Sequence, residues 1–302
     1  MDLQTTTPRS NLRKIQVLHL EPTDVCQAAC ALCARETDPD FRKDRQHHLT
    51  VSQILEHLST DQIAQLDKMF MCGSYGDPAA GKYTLDIYNY FRSQNPDITL
   101  GMNSNGGLQT TLWWHALGTL FNQPLDYVVF SIDGLASTNE TYRKNVKWSK
   151  LMQNAQAFIE AGGSAHWDML VYKHNQHQVD ECEQLARDMG FTWFRAKVSR
   201  RGFTDRLAAP IGWQLPQVVS TQVDCHALRE QSAYIDAQGN MSPCCWLGAR
   251  QRNFVTDFDS VQSSWSSLQP NIVCLDACGS KDGGSSFSNQ WQRETELREA
   301  TF

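Results

Sequence analysis

Along the chain, short runs rich in apolar and β-branched residues alternate with longer segments whose apolar positions recur at helical spacing. The short runs are Ile15–Leu20, Lys68–Gly73, Ile98–Asn103, Tyr127–Asp133, His166–Tyr172 and Phe191–Val198, each of strand length. The helical patterns include TVSQILEHLSTDQIAQL from Thr50, TLDIYNYFRSQ from Thr84, and WSKLMQNAQAFIEAG ending at Gly162, where a glycine suits a helix stop. Six βα units in a row predict an α/β fold with a parallel sheet and right-handed crossovers, as an open doubly wound sheet or as a full or partial barrel. Either architecture gathers its chemistry at the C-terminal ends of the strands.

Five of the six strand ends carry unusual polar or glycine-rich loops. CQAACALC (Cys26–Cys33) follows the first strand, GSYGDP (Gly73–Pro78) the second and NSNGG (Asn103–Gly107) the third. SIDG (Ser131–Gly134) follows the fourth and KHNQH (Lys173–His177) the fifth. After Val198 the pattern breaks into SRRGFTDRLAAP, with Pro210 and Pro216, which reads as a linker. The expected organisation is an N-terminal extension (1–14), a main α/β unit (15–205), a linker (206–224), a small cysteine-bearing unit (225–280) and a tail (281–302). The tail opens on the low-complexity stretch SKDGGSSFSNQ.

Composition narrows what the cysteines do. No long apolar h-region stands at the N-terminus and no run of about 18 apolar residues occurs anywhere, so no signal peptide or membrane span is expected and the cytoplasm is. Ten cysteines in such a chain point to metal or redox chemistry rather than disulfides. A net charge of −6 argues against a nucleic-acid partner, although a local basic pocket remains compatible with it.

Cys26, Cys30 and Cys33 form a CxxxCxxC triplet. A structural zinc needs four closed ligands and would have to recruit one from afar. A cubane iron–sulfur cluster has four irons, and three thiolates leave one iron open for a non-protein ligand. The triplet after the first of six βα units resembles the radical S-adenosylmethionine (radical SAM) enzymes, and the resemblance runs over residues 15 to about 200. It implies a partial (β/α)6 TIM-like barrel and a [4Fe-4S] cluster on Cys26, Cys30 and Cys33 whose open iron is chelated by S-adenosylmethionine (SAM). It implies an enzyme in which SAM is cleaved to a 5′-deoxyadenosyl radical that abstracts a substrate hydrogen, fed by an electron donor such as flavodoxin or ferredoxin.

Further loops match the family motif by motif. GSYGDP is similar to the glycine-rich segment that holds the SAM amino group, with Gly76, Asp77 and Pro78 in place and aspartate where glutamate is commoner. NSNGG resembles the third-strand TNG motif through Ser104, Asn105 and Gly106, and SIDG the fourth-strand segment whose Ser131 and Asp133 lie near SAM. Leu32 stands where an aromatic residue usually meets the adenine. Arg195, at the end of the sixth strand, suits the SAM carboxylate. Plain turns, a helix N-cap at Asp133 and a surface ion pair at Arg195 read the same residues without a ligand. Trp113 and Trp114 read as core and rim, His47 and His48 as a solvated loop, and Cys72 and Cys182 as buried, inert thiols.

The second cysteine set, CHALREQSAYIDAQGNMSPCCW followed by CLDAC, reads as a thiol-bearing β-hairpin with a later pair. It resembles the twitch form of the SPASM extensions. That resemblance implies one auxiliary [4Fe-4S] cluster on Cys225, Cys244, Cys274 and Cys278, with four residues between the expected hairpin glycine, Gly239, and Cys244, and Cys245 packed away, if the strand stays extended through both. A four-cysteine zinc knuckle uses the same ligands. Relatives with this extension lead to an expected oxidative modification or cross-linking of a peptide or protein side chain, of the oxidoreductase or maturase type. Dehydrogenation, rearrangement or epimerisation of a small molecule is the alternative, and a non-catalytic metal-binding module a third. Cys26 lies so near the start that no N-terminal peptide-recognition domain is expected. The basic stretch RAKVSRRG fits either an anionic substrate group or a solvated loop.

Overall fold

The computed structural model describes residues 15–41, 43–44, 46–199, 201–214, 223, 225–252, 254–257, 259–261, 273–274 and 278. The expected extension and tail (1–14 and 281–302), and most of 215–224, lie outside the described residues. Six strands follow the predicted alternation: β1 (Val17–Leu20), β2 (Lys68–Met71), β3 (Thr99–Ser104), β4 (Tyr127–Ser131), β5 (Ala165–Val171) and β6 (Trp193–Val198). Between them run α1 (Ala34–Thr37), α2 (Val51–Leu55), α3 (Thr60–Ile63), α4 (Thr84–Gln94), α5 (Thr111–Leu120), α6 (Asn139–Tyr142), α7 (Trp148–Glu160) and α8 (Val179–Met189). The C-terminal part adds α9 (His226–Glu230), β7 (Ser232–Ile235), β8 (Met241–Ser242) and α10 (Cys245–Gln251).

The single helical pattern expected from Thr50 is two helices. Thr50 and Ser59 each make a capping box, with Gln53 and Gln62, and the second box starts a new helix where the first ends. Gly162, after α7, adopts φ 94°, a left-handed value that only glycine takes at little cost, and it stops the helix as expected.

All strands from β1 to β6 pair in parallel, in the order β6-β5-β4-β3-β2-β1, and the sheet stays open. This is the expected partial TIM-like barrel. The hairpin does not stand apart from it: β7 pairs in parallel with β1, from Val17 opposite Ser232 to Leu20 opposite Ile235, and β8 pairs antiparallel with β7. The start of the expected linker is also packed, since Leu207 is buried and Lys173 N donates to Ala208 O.

Strand registry sorts the side chains onto two faces. One face carries Leu18, Met69, Leu100, Val128, Phe130 and Trp167, all buried. Phe130 meets Trp114 of α5 and Phe158 of α7 at ring separations of 5.1 and 6.0 Å, so this face is the sheet–helix core. Trp114 also donates from Nε1 to Leu108 O, in accordance with its reading as core. The other face lines the barrel interior with His19, Phe70, Tyr127, His166 and Trp193. His19 stacks on Phe70 at 4.4 Å and Tyr127 on His166 at 5.4 Å. The Lys68 ammonium lies over the Tyr127 ring at 4.6 Å, and burial lowers its pKa to about 7.

Burial lowers His19 to a pKa of about 4, and burial together with the Lys68 and Arg195 charges lowers His166 to about 3. Both imidazoles stay neutral in the native state at pH 5, while in the unfolded chain each takes up a proton below the ordinary 6.5. The unfolded state then binds more protons, so stability held above pH 6.5 is lost as the pH falls, by about 2 kcal/mol per histidine at pH 5. Urea unfolding at pH 7 and pH 5 tests this: the His19→Phe/His166→Phe variant should lose about 4 kcal/mol less than the unsubstituted chain over that interval. An equal loss in both would place the acid sensitivity elsewhere.

Candidate active site

Immediately after β1 the chain enters the cysteine loop, which leans on the loop after β2. Gly76 packs so closely that a Cβ there would lie 1.9 Å from Thr23 O, and Asp77 N donates to Val25 O at 2.9 Å. Glu21, 1% exposed, ties the same two loops together. Its carboxylate accepts from Tyr75 N at 2.7 Å, Gly76 N at 3.1 Å and the Tyr234 hydroxyl of β7. Burial pushes its pKa up, against the pull of those donors.

Asp77 is buried and caps the short 3-10 turn Pro78–Ala80, whose first residue Pro78 is buried with it. Its carboxylate accepts from Ala79 N (2.9 Å), Ser104 Oγ (2.8 Å) and Asn105 N (2.7 Å). The GSYGDP loop therefore also carries the third-strand motif. Asn105 continues the chain of contacts, with its Nδ2 3.6 Å from Cys26 Sγ.

Asp133, fully buried, is no helix cap: Thr138 holds the N-cap position of α6. Its carboxylate accepts from Arg143 Nε at 2.6 Å and Leu170 N at 2.6 Å, which joins the β4 and β5 ends. The Arg143 charge also draws the Cys30 thiol down, against the burial that raises it. Ser131 ends β4 with a half-buried side chain, and Leu32 packs partly buried against the core. His47, with about a third of its side chain exposed, bonds the Asp24 carboxylate from both its backbone N and Nδ1, at 2.8 and 2.6 Å.

Arg195 extends from β6 on the interior face, where Nε donates to Asp168 Oδ1 at 2.7 Å and Lys197 Nζ meets Asp168 Oδ2 at 2.5 Å. Burial alone would raise the Asp168 pKa, but the Lys197 and Arg195 charges overcome it and hold the carboxyl at about 2. Arg195 is thus an internal ion-pair partner rather than a surface one.

The three thiols of the first loop are free. Burial, then the Asp77 charge, pushes the Cys26 thiol up to about 12, and Cys30 and Cys33 act on it in the same direction. Cys30 is raised by burial and, further, by Cys33, so negative charge on one of these thiols disfavours it on the next. Such a set suits a cationic group that takes thiolates. Cys26 already receives two donors, Ala28 N at 3.4 Å and Asn105 Nδ2, as a ligating sulfur does. Among the described residues, no group of three His, Cys, Asp or Glu side chains is gathered for a single metal ion.

In the C-terminal unit, Cys225 is the N-cap of α9 and Cys244 the N-cap of α10. β8 ends at Ser242, so extended structure does not continue through both adjacent cysteines: Cys244 is extended and Cys245 begins the helix. Burial pushes the Cys244 thiol up to about 12, with Cys225 and Cys278 as nearby negative neighbours. Cys245 is raised by burial and next by Cys244, Cys72, Glu21 and, as Cys244 is, by Cys278. The two thiols thus have different surroundings. Cys182 is fully buried, and burial raises the Cys72 thiol to about 12. Cys274 is half-buried.

An open parallel barrel with three free thiols in the loop after its first strand, packed against the loop of the next, is the class of fold and site that the chain presents. Residues 20–189 match the family model described as the Radical SAM superfamily, over more than half of the chain, and the protein belongs to that superfamily. Membership makes it an enzyme and implies a [4Fe-4S] cluster and SAM. A search of curated protein sequences gave no match. Among solved structures, Streptococcus suis SuiB bound to S-adenosylmethionine is similar at a TM-score of 0.59 and 14% identity, covering 83% of this chain and 65% of that one. SuiB bound to the precursor peptide SuiA gives 0.60 and 14%, covering 88% and 70%. Native anSMEcpe with bound AdoMet gives 0.54 and 13%, covering 76% and 74%. The chain thus spans about two thirds of the SuiB length. No helix among the described residues is long and apolar enough to cross a membrane.

Arg143, Glu21 and the Asp24–His47 pair are site residues that motif spacing did not disclose. Gly76 provides a direct test of the loop packing. In Gly76→Ala the Cβ forces the β2 loop off Thr23, at a cost of about 1–3 kcal/mol. A lower urea midpoint with an unchanged slope is the expected result, and an unchanged midpoint would show that the two loops are independent.

Proposed function

We propose that this enzyme cleaves SAM reductively and uses the product radical to oxidise or cross-link a peptide or protein side chain, assisted by one auxiliary [4Fe-4S] cluster. The observation that carries the reading is the CxxxCxxC loop that follows β1 inside the segment matching the Radical SAM model, with Asn105 Nδ2 3.6 Å from Cys26 Sγ. Bound there, a [4Fe-4S] cluster with SAM on its open iron supplies one-electron chemistry and a 5′-deoxyadenosyl radical for hydrogen abstraction. The fold likeness to SuiB, one structure of which contains a precursor peptide, supports a peptide substrate.

In this reading Cys26, Cys30 and Cys33 hold three irons. Gly76, Asp77 and Pro78 form the wall beside the SAM amino group, Leu32 lies beside the adenine, and Ser104, Asn105, Ser131 and Asp133 border the ribose and methionine. Arg195 orients the SAM carboxylate while Asp168 fixes its guanidinium. The aromatic floor of His19, Phe70, Tyr127, His166 and Trp193 keeps water from the radical. Cys225, Cys244, Cys274 and Cys278 ligate the auxiliary cluster of a twitch-type unit spanning 225–280, a choice supported by the extended backbone of Cys244, whereas Cys245 begins α10. An electron donor such as flavodoxin or ferredoxin reduces the enzyme, in the cytoplasm.

Because each thiolate fills a separate iron, Cys26→Ala, Cys30→Ala or Cys33→Ala should abolish 5′-deoxyadenosine formation under anaerobic reducing conditions, measured by chromatography and mass spectrometry. Undiminished cleavage in any one of them would sink the reading. Adjacent thiols separate the auxiliary part. Cys244→Ala should lose most of the second cluster's iron and sulfide while Cys245→Ala retains both clusters, as read by iron analysis with Mössbauer spectroscopy. The reverse pattern would move the ligand by one residue, and zinc in place of iron would remove the auxiliary cluster.

A further inference from the structure

We propose that Gln27 and Asn145 are positioning residues that clasp the cysteine loop and hold it in its cluster-binding shape before any iron is bound. The inference rests on the proposed assignment of Cys26, Cys30 and Cys33 as cluster ligands and goes beyond it, because neither residue is a ligand.

The two halves of the loop are held differently. From Cys30 onward the chain supports itself. Cys33 N donates to Cys30 O at 2.9 Å, and Glu36 N and Thr37 N donate to Cys33 O at 2.9 and 3.0 Å, which leads into α1. Between Cys26 and Cys30 the local support is slight, a donation from Ala28 N to Cys26 Sγ at 3.4 Å. Contacts from elsewhere take over there. Ala29 N donates to Lys144 O at 3.1 Å and Asn145 Nδ2 donates to Gln27 O at 3.3 Å, so one turn grips the main chain on both sides of Ala28. That turn is itself fixed, since Lys144 N donates to Tyr142 O and Val146 N to Arg143 O, each at 3.0 Å, and Val146 is fully buried. Asn145 takes φ 69°, a left-handed value that asparagine tolerates better than most residues with a side chain.

The Gln27 side chain supplies the second grip. Its Nε2 donates to Asn105 Oδ1 at 2.7 Å, and that oxygen also accepts from Gly107 N at 2.9 Å. Asn105 is anchored in turn through its N on the buried Asp77, 2.7 Å from Oδ2. A Cβ on Gly107 would lie 2.6 Å from Gln27 Nε2 and 3.0 Å from Asn105 Oδ1, so the glycine leaves the space that this amide pair fills. The clasp therefore acts on the segment that sets the separation of the first two thiols. A loop ordered only by its metal gives up backbone freedom at the moment of binding, and that loss weakens the bound state. Bonds that order the loop beforehand take the loss out of the binding step and slow release. The Gln27 contact is half-buried and the Asn145 contact exposed, so the larger share falls to Gln27.

The test starts from the full chain made iron-free with a chelator under anaerobic conditions, with amide-resolved hydrogen exchange read at Ala29. In the unsubstituted chain this amide should already exchange more slowly than in the urea-unfolded chain, by about tenfold or more. Gln27→Met, which keeps the length of the side chain without its donor, should quicken the Ala29 exchange about tenfold. Asn145→Gly, which keeps the left-handed φ without the donor, should quicken it about threefold. In the Cys244→Ala background, transfer of iron from the reconstituted chain to a chelator should quicken in the same order. The buried Leu100 amide of β3 should exchange as in the parent throughout. An Ala29 amide that exchanges at the unfolded rate in the iron-free parent, and slows only when iron is supplied, shows that the loop folds around its cluster and overturns the proposal. Parent-like exchange and iron transfer in both variants also overturn it, as does equal quickening at Leu100, which assigns the two residues to general stability. Where Gln27→Met fails to fold, Asn145→Gly decides by the same criteria. A parent chain that takes up no iron overturns the cluster reading and this inference with it, and is told apart from the other failures because those occur in chains that hold iron.

Discussion

The site depends on one buried carboxylate. Glu21 leaves β1 at the point where the chain must turn into the cysteine loop, and its oxygens take up Tyr75 N, Gly76 N and the Tyr234 hydroxyl. An ionised carboxylate without such donors would be expelled from this environment or protonated. With them it joins three strand ends that are far apart in sequence. The β2 loop is thereby drawn against Thr23, the Asp77 carboxylate arrives beneath the third-strand motif, and Asn105 is delivered to Cys26. The hairpin shares the same anchor through β7, so the first cysteine set and the C-terminal unit have a common reference point.

The sites attached to this anchor are unequal in their electrostatics. Around Cys30 the Arg143–Asp133 pair acts in opposed senses, the arginine drawing the thiol's pKa down and the aspartate pushing it up. On β5 and β6 two cations, Arg195 and Lys197, meet one carboxylate, Asp168, on the interior face, and the low-dielectric surroundings leave those charges little screened by solvent.

Much of the scaffold was legible from periodicity. The six strands fell within two residues of the expected runs, and Thr84–Gln94 matched the helical pattern beginning at Thr84, because these elements are set by local spacing of apolar side chains. The triplet and its loops were also readable, since a cluster site needs its residue types at fixed short intervals. What escaped was long-range. Tyr234 meets Glu21 across 213 residues and Arg143 meets Asp133 only because α6 turns back. The pairing of β7 with β1 has no local signal at all, and the split at Ser59 depended on a capping box inside an otherwise continuous helical pattern. Asp133 misled in a related way, as its carboxylate bridges β4 to β5 instead of capping the next helix.

The interior floor joins stability to chemistry. His19 and His166 are neutral because water is scarce around them, and the same scarcity brings Lys68 down to about 7. A polar interior this dry costs folding free energy in acid, which an apolar lining would avoid. It has a compensating consequence at the rim above. Where water is excluded, each fixed charge and hydrogen bond acts at nearly full strength, so Asp168 can immobilise Arg195. Dryness also removes the commonest quencher of a reactive intermediate. The acid sensitivity of the barrel and its capacity to hold radical chemistry therefore have one origin, the burial of imidazole and ammonium groups behind an aromatic floor.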